Sequence, residues 1–429
     1  MSNAEIKQVM PCFCNFLFQV LFFSMNRGNS MALLQKRLNA FFKSNQERIQ
    51  HSDITIAMGN EACDLDSFIS SLVVAYAEDA IHVVNMKKDV FMAKGELMWV
   101  CSKFHIDVDD LVFFIKPSLH FSKRARKLGA YFEFGGEKHL VTGKKIKLLL
   151  TDHCKPADVF DDCEVELIID HHALSSYVSP AKRMYIDLDV GSATTLVSRY
   201  LGDDLTKKTH CSTLSKRSSS AGNVDQETLC SAFARLLLIP ILIDTGYLKR
   251  RTSHFDVFEY RKLKAMAGIS KKELKCIIKE LKCARHNDHE HETSLILQKD
   301  FKMFNHKKFV FGGSTVKYSF EDWVDREGKE ISGVPPKEIG MALMLQIESF
   351  RKSMGLDFFF VATKNKGVRS IIFSSFPFMK SLVSRNGLKA MDYKGLEYYN
   401  ANKKFTRKIL VPEVIDVIDS YAQGMSSNQ

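Results

Sequence analysis

The chain has 429 residues, which is long enough for two or three domains with cores of their own. A hydrophobic content of 45% with 26% charged residues excludes a disordered chain. The formal net charge of +11 favours polyanionic partners, a class that includes nucleic acid, anionic membranes and chains of phosphate. The ten cysteines show neither zinc-finger spacing nor a dense disulfide framework, so we expect free thiols and a cytoplasmic location.

An apolar stretch over residues 12–24 lies near the start of the chain. It is too short to span a bilayer comfortably as a helix, and it lacks the preceding basic region of a signal peptide. Met25 and Met31 follow it and offer alternative starts of translation. We expect residues 1–30 to be a dispensable extension, with a targeting segment or a packed helix as alternatives, and we expect no stable membrane insertion.

The first half of the chain alternates short apolar strands with helices or long connections, which is the pattern of a parallel sheet. We predict helices over 31–50, 67–76 and 97–104, and strands over 54–58, 81–85, 111–115, 146–150, 166–169 and 183–188. The fold class is therefore α/β, with a mostly parallel sheet and helices on both faces. Ligands of such sheets bind outside the carboxyl ends of the strands.

The second half differs in composition. Polar residues over 202–226 predict a mobile surface insertion, and an apolar run over 230–243 predicts a buried helix ending near Asp244. A smaller α+β domain follows, with strands over 309–318, 357–363 and 368–373 and helices over 336–354 and 411–422. We divide the chain into an extension (1–30), a first domain (35–265), a connector (266–293) and a second domain (294–422).

Four apolar runs each end in side chains that are good metal ligands. Burying charged acids costs free energy unless a cation binds beside them. The simplest source of such positive charge is a pair of divalent metal ions. Oxygen ligands with an imidazole suit Mg²⁺ or Mn²⁺, so the pattern predicts a two-metal phosphohydrolase. The side chains are Asn60, Asp64 and Asp66 after residues 54–58, Asp152 after 148–150, Asp170, His171 and His172 after 168–169, and Asp244 after 239–243.

Each motif has a structural alternative when it is taken alone. The Asp64-x-Asp66 pair is common in solvated loops, and Asp152 has the alternative role of a helix N-cap. Asp170 has a similar capping alternative, with both following histidines exposed. The occurrence of all four motifs in this order favours the metal site.

The order of these motifs resembles the DHH phosphoesterase superfamily. More narrowly, it is similar to the branch that contains yeast-type cytosolic exopolyphosphatase and the Prune proteins. Residues 297–302 and 406–412 resemble the phosphate-binding motifs of that branch's second domain, so the resemblance covers roughly residues 35–422. The matching motifs of the first domain are residues 59–67, Asp152-His153, Asp170-His171-His172, residues 191–195 and Ile243-Asp244-Thr245.

The resemblance implies two Mg²⁺ or Mn²⁺ ions, with the active site in the cleft between the domains. The implied metal ligands are Asp64, Asp66, Asp152, His171 and Asp244, with Asp152 bridging the two ions. His172 is implied to contact substrate phosphate, and Lys302, Arg407 and Lys408 to bind phosphate from the opposite domain.

Three positions depart from the patterns of the related proteins. Related pyrophosphatases carry histidine where this chain has Asn60, which argues against a pyrophosphatase and leaves Asn60 to orient water or to weaken one metal site. Prune proteins typically replace the second histidine of the Asp-His-His motif by arginine, whereas His172 is intact here, which favours an active enzyme. Gln298 stands where relatives often carry a basic residue.

The sequence thus predicts an exopolyphosphatase that releases orthophosphate from the end of inorganic polyphosphate. The alternatives are an inorganic pyrophosphatase, a phosphodiesterase of cyclic nucleotides or short oligonucleotides, and a Prune-like scaffold protein. We expect polyphosphate or other short polyphosphates as substrate and no nucleic acid as partner, and the oligomeric state stays open.

Overall fold

A computed structural model describes residues 28–117, 122–172, 178–205, 220–285, 291–317, 319–330, 335, 337–365, 368–402 and 405–426. The predicted extension therefore lies almost wholly outside the described residues. Within these ranges, no helix combines the length and the apolar content that crossing a membrane requires.

The first domain is built on an eight-stranded sheet with the strand order β5-β4-β3-β2-β1-β6-β7-β8. The neighbours from β3 to β8 pair in parallel, while β4 and β5 form an antiparallel hairpin at one edge. The predicted mostly parallel sheet is confirmed. Its strands are β1 (Asp53–Met58), β2 (Ile81–Val84), β3 (Val112–Ile115), β4 (Tyr131–Phe134), β5 (Glu137–Leu140), β6 (Lys145–Thr151), β7 (Glu164–Asp170) and β8 (Ala181–Ile186).

Helices flank this sheet, and most of the helical core lies against one face. The helix α2 is buried along its whole length because its residues are apolar or small on every side. The helices of this domain are α1 (Gly28–Arg48), α2 (Leu65–Ala77), α3 (Lys88–Met92), α4 (Gly95–Lys103), α5 (Lys123–Gly129), α6 (Ala193–Leu201), α7 (Ser220–Asp244) and α8 (His254–Met266).

A second, smaller sheet has the strand order β13-β14-β12-β11-β10-β9 and carries helices of its own. The pair β10–β11 is parallel and the other pairs are antiparallel, as an α+β domain allows. Its elements are α10 (Thr293–Lys299), β9 (Phe301–His306), β10 (Phe309–Val316), α11 (Phe320–Glu330), α12 (Ile339–Met354), β11 (Phe358–Asn365), β12 (Val368–Ser374), α13 (Met379–Asn386), β13 (Lys389–Tyr393), β14 (Leu396–Ala401) and α14 (Arg407–Ser426).

Two segments differ from the sequence-based prediction. The polar segment over 202–226 is helical from Ser220 onwards, because α7 starts there, and residues 206–219 lie outside the described ranges. The predicted connector contains the helix α9 (Lys271–Arg285), which buries Leu274 and Leu281. The high content of charged residues had obscured the apolar stripe of this helix.

The helix α9 also joins the two domains physically. It packs on α4, where the Trp99 indole donates to Glu280 at 3.0 Å. At the last residue of α9, the Arg285 guanidinium lies 3.3 Å from the Glu96 carboxylate. The same carboxylate lies 3.9 Å from the ammonium of Lys317, which follows β10 of the second domain. The contact between Glu96 and Lys317 therefore links α4 to the second domain.

Candidate active site

The predicted acid and histidine side chains lie at adjacent strand ends. The strands β1, β6 and β7 are neighbours, with Met58 opposite Leu150 and Thr151 opposite Ile169. Parallel strands that end together bring their following residues to one edge of the sheet. The loop with Asp64, the residue Asp152 and the Asp170-His171-His172 motif consequently meet there.

Asp152 is the centre of this cluster. Only 2% of the residue is exposed, and its backbone adopts the left-handed region with φ of 63°. Its Oδ2 accepts a hydrogen bond from the Asn60 amide at 2.7 Å. Its Oδ1 lies 3.3 Å from His171 Nε2 and 3.5 Å from His172 Nδ1, yet accepts no hydrogen bond of regular geometry within the described structure.

Burial dominates the electrostatics of Asp152. It raises the pKa of this carboxyl to about 8, with the nearby charges of Asp66 and Asp64 adding to the effect and His171 opposing it. Asp66 shows the same direction: burial is the main reason that its pKa is raised. Buried acids that lack cations carry this penalty, so the cluster favours a bound positive charge.

His171 has one ring nitrogen fixed and the other turned to the acids. Its Nδ1 lies 3.1 Å from the Val190 carbonyl oxygen, which makes Nδ1 the donor and leaves the Nε2 lone pair facing Asp152 and Asp66. Burial alone would lower the pKa of His171, but the neighbouring Asp152 and Asp66 outweigh it and raise the pKa to about 10. Either a proton on Nε2 or a metal ion beside it would meet the two carboxylates.

Asp170 holds the backbone of both histidines and the ring of His172. Its Oδ1 accepts the backbone N–H groups of His171 at 2.8 Å and His172 at 3.1 Å, and it lies 2.9 Å from His172 Nδ1. The contact with Asp170 raises the pKa of His172, whose side chain is 56% exposed. His172 thus presents its Nε2 edge toward solvent, where it can donate to an anion.

Hydrogen bonds at both its oxygen and its nitrogen fix the orientation of the Asn60 side-chain amide. The Oδ1 atom accepts from the backbone N–H groups of Ala62 and Cys63, so Nδ2 points to Asp152. Gly59 makes this possible, because a Cβ at that position would lie 2.2 Å from the Ser67 hydroxyl that Asn60 N–H contacts. In this geometry Asn60 is a donor to a predicted ligand and is not itself turned to a metal.

The two remaining acids of the cluster come from helix ends. Asp64 is half-buried and caps α2, accepting from Ser67 N–H at 3.1 Å. Asp244 is the last residue of α7, and burial with the charges of Asp66 and Asp64 raises its pKa well above the ordinary value. The folded chain therefore brings the predicted ligands from four separate segments within electrostatic range of one another.

The donor set fits a hard divalent cation. Ligand atoms of Asp152, His171 and His172 lie within 4.8 Å of one another, although Asp170 already engages Nδ1 of His172. Asp152 Oδ1 is buried without a regular hydrogen bond, which is the condition that a bound cation would relieve. Carboxylate oxygens with an imidazole nitrogen match the preferences of Mg²⁺ and Mn²⁺.

The predicted phosphate-binding residues of the second domain are close to one another. Lys302 on β9 is exposed and pairs in register with Gly313 on β10. The Arg407 guanidinium donates to the Gly313 carbonyl at 3.3 Å, and it also donates to the Asp300 carbonyl at 2.6 Å and carboxylate at 2.7 Å. Lys408 follows and is exposed. Arg407 is therefore already engaged by an acid of its own domain.

Sequence reasoning missed the residues that hold the ligands in place. Asp170 was predicted to be part of the motif, with a helix cap as its alternative. Ser192 was assigned no role, although its hydroxyl donates to Asp66 at 2.7 Å. The signal for Ser192 was its position at the start of a helix, where Ser is a frequent cap. That its hydroxyl donates to Asp66, in addition to its contact with Thr194 of its own helix, follows only from the tertiary structure.

Comparison with known proteins adds a family. The DHHA2 domain family matches residues 279–417. "Exopolyphosphatase PRUNE1" of Homo sapiens is 28% identical over 153 residues, which is 33% of this chain and 30% of that protein. Its namesake in Bos taurus is 28% identical over 155 residues, covering 34% of this chain and 30% of that protein. These matches support the assignment of the chain to the DHH phosphoesterase superfamily that its motifs predicted.

Within this superfamily the sequence relatives support the Prune and exopolyphosphatase branch, as the motifs predicted. The match spans less than one third of the length of these relatives. The DHH fold is further supported by the solved structure of a Methanococcus jannaschii protein assigned to the family II inorganic pyrophosphatases. It superimposes with a TM-score of 0.53 at 19% identity, covering 85% of this chain and 99% of that one.

Proposed function

We propose that this DHH phosphohydrolase is an exopolyphosphatase, which removes the terminal phosphate of inorganic polyphosphate. The observation that carries the proposal is the buried acid cluster around Asp152, with its unpartnered Oδ1 and an intact pair of histidines. The formal charge of +11 supports a polyanionic substrate. The free thiols of the described cysteines are in keeping with the cytoplasm as its compartment.

In this proposal Asp64, Asp66, Asp152, His171 and Asp244 hold two Mg²⁺ or Mn²⁺ ions. When bound, such ions lower the pKa of water toward neutrality and so supply the attacking hydroxide. The role of the surrounding protein is to fix the ligands, since His171 is oriented by the Val190 carbonyl and Asp152 by the Asn60 amide.

The remaining residues act on the substrate. His172, held by Asp170, donates to an oxygen of the terminal phosphate and stabilises the charge that develops there. Lys302, Arg407 and Lys408 neutralise the following phosphates from the second domain. Closure of the cleft between the domains would exclude bulk water from the reacting group.

Pyrophosphate is the competing substrate. The likeness to the Methanococcus jannaschii protein concerns the fold alone and does not favour it. Asn60 argues against it, because the amide donates to Asp152 and leaves the metal site without the additional imidazole of the related pyrophosphatases. The cyclic-nucleotide and scaffold alternatives have no observation in their favour beyond the superfamily itself.

The test is phosphate release from purified protein with Mg²⁺ or Mn²⁺, comparing long polyphosphate, tripolyphosphate, pyrophosphate and a cyclic nucleotide. We expect rapid release from the first two with pyrophosphate left intact, and loss of release when a chelator is added. The Asp152→Asn variant, purified in the same way, controls for contaminating phosphatases. Turnover of pyrophosphate alone would reassign the substrate, and inactivity on all four would favour the scaffold alternative.

A further inference from the structure

Asp66 is held by a segment that lies far from it in sequence. Its Oδ1 accepts the Ser192 hydroxyl at 2.7 Å and the Thr194 N–H at 2.9 Å, and its Oδ2 accepts the Ala193 N–H at 2.6 Å. All four residues are buried. The segment forms the N-terminus of α6, where a negative charge is favourable. The position of the Asp66 carboxylate is thus set by residues 192–194.

Asp256 binds the two residues that flank this segment. Its Oδ2 accepts the Gly191 N–H at 2.9 Å, and its Oδ1 accepts the Thr195 hydroxyl at 2.6 Å. Asp256 has no exposed surface, and Ser253 supplies further donors through the capping box of α8. A capping box accounts for the contacts with Ser253 but not for those with Gly191 and Thr195. One carboxylate therefore clamps both ends of the three residues that bind Asp66.

The clamped segment also touches the chain that follows Asp244. A Cβ at Gly191 would lie 2.3 Å from the Arg251 carbonyl oxygen and 2.6 Å from Cγ2 of Thr245. Thr245 is fully buried and directly follows Asp244. Any movement of Gly191 that released the clamp would consequently alter the packing beside a second predicted ligand.

We propose that Asp256 is a positioning residue for the metal centre. It fixes Asp66 through residues 191–195 and braces Asp244 through the contact between Gly191 and Thr245. The inference rests on the proposed roles of Asp66 and Asp244 as metal ligands. Loss of partners outside the first coordination shell typically weakens metal binding by about 10–100-fold, so the clamp should be measurable in metal affinity.

The chain offers a matched control on the same helix. Glu259 is buried on α8 and accepts the Ser198 hydroxyl of α6 at 2.5 Å, while the Lys262 ammonium lies 2.5 Å from the same carboxylate oxygen. It therefore joins the same two helices as Asp256 does, but one turn beyond the segment that binds Asp66. Replacing Glu259 should cost stability without altering the metal centre.

The experiment compares Mn²⁺ binding of the wild-type protein, Asp256→Asn and Glu259→Gln by calorimetry, with the metal-free Tm measured for each. The new amide of Asp256→Asn puts N–H groups against the donors of Gly191, Ser253 or Thr195. We expect about tenfold weaker Mn²⁺ binding for Asp256→Asn, wild-type binding for Glu259→Gln, and a lower Tm for both. Excess Mn²⁺ should restore kcat of Asp256→Asn if the defect is one of positioning.

A second pair of variants keeps the test decisive if Asp256→Asn does not fold. Thr195→Val removes one donor to Asp256, whereas Thr195→Ser retains the hydroxyl. Weaker Mn²⁺ binding for Thr195→Val with wild-type binding for Thr195→Ser supports the clamp. Wild-type affinity in both Asp256→Asn and Thr195→Val overturns this inference alone, whereas a wild-type protein without Mn²⁺ affinity would overturn the proposed metal centre itself.

Discussion

Charge is arranged in opposite ways in the two domains. In the first, Asp66, Asp152 and Asp244 gather where burial raises the pKa of each carboxyl. In the second, residues 294–422 carry a net positive charge, although some cations have acid partners in the same domain, as in the pairs Arg407–Asp300 and Lys394–Asp325. The buried acids of the first domain thus favour a bound cation, whereas the second domain has an excess of cations.

This difference assigns different tasks to the two domains. A cluster of buried acids gains most from a tightly bound ion, because the ion removes the cost of their burial. Arg407 is already paired with Asp300, so a phosphate that binds Arg407 has to compete with this carboxylate. We therefore expect metal affinity to depend on the first domain and substrate affinity on the second.

The largest effect is expected from Asp152→Asn. The amide can still accept the Asn60 hydrogen bond, so the fold should persist while the central charge is lost. Metal-assisted stabilisation is worth several kcal/mol, and turnover should fall on the order of 10³-fold, as measured by phosphate release. The exposed Asp53→Asn exchange is the control, and near-normal turnover of Asp152→Asn would refute the central role of this carboxylate.

Arg407→Ala should have the next largest effect, and it should fall on substrate rather than on metal. Hydrogen bonds to charged groups contribute about 1.5–3 kcal/mol, so kcat/KM for polyphosphate should drop about ten- to hundredfold with unchanged Mn²⁺ affinity. Arg385→Ala, which removes an exposed arginine paired with Glu413 and Asp416, is the matched control. Weaker Mn²⁺ binding in Arg407→Ala would contradict the division of tasks.

Asn60→His should change the substrate preference by a smaller factor. An imidazole replaces an amide that donates to Asp152 and adds a ligand atom beside the cluster. We expect tighter Mn²⁺ binding and a rise in pyrophosphate turnover relative to polyphosphate, measured as the ratio of the two rates. The Asn60→Ala variant separates the loss of the amide from the gain of the imidazole. Equal ratios of pyrophosphate to polyphosphate turnover in both variants would contradict the prediction.

The smallest effect is expected from an ion pair that belongs neither to the predicted metal ligands nor to the predicted phosphate-binding residues. Contact with Arg351 lowers the pKa of Glu348 to about 2, with burial opposing and Ser374 assisting. An acid whose pKa is lower in the folded state stabilises the fold at pH values above its unfolded-state pKa. This stabilisation is lost as the pH falls through the folded-state pKa. The Tm of the wild-type protein should therefore approach that of Glu348→Gln as pH drops below about 4.5. A Tm difference that stays constant down to the acid limit of folding would show that the pair contributes no such linkage.

The larger part of the first sheet could be predicted because its strands are short apolar runs separated by helices. Strands β4 and β5 could not, since most of their side chains are only partly buried or exposed, unlike those of the equally short strands β2 and β3. The helix α9 was read as a connector because Lys and Glu dominate its composition and its buried face contributes few apolar residues. Periodicity detects an element reliably only when burial covers a continuous face.

The sequence alone determined which residues stand at the strand ends, because a run of apolar residues followed by an acid marks that boundary locally. Only the tertiary structure decided what each acid contacts. Asn60 reaches Asp152 across 92 residues, Ser192 reaches Asp66 across 126, and Gly191 reaches Asp256 across 65. Such partners are selected by the packing of whole helices against a sheet, and no local pattern of the chain encodes that choice.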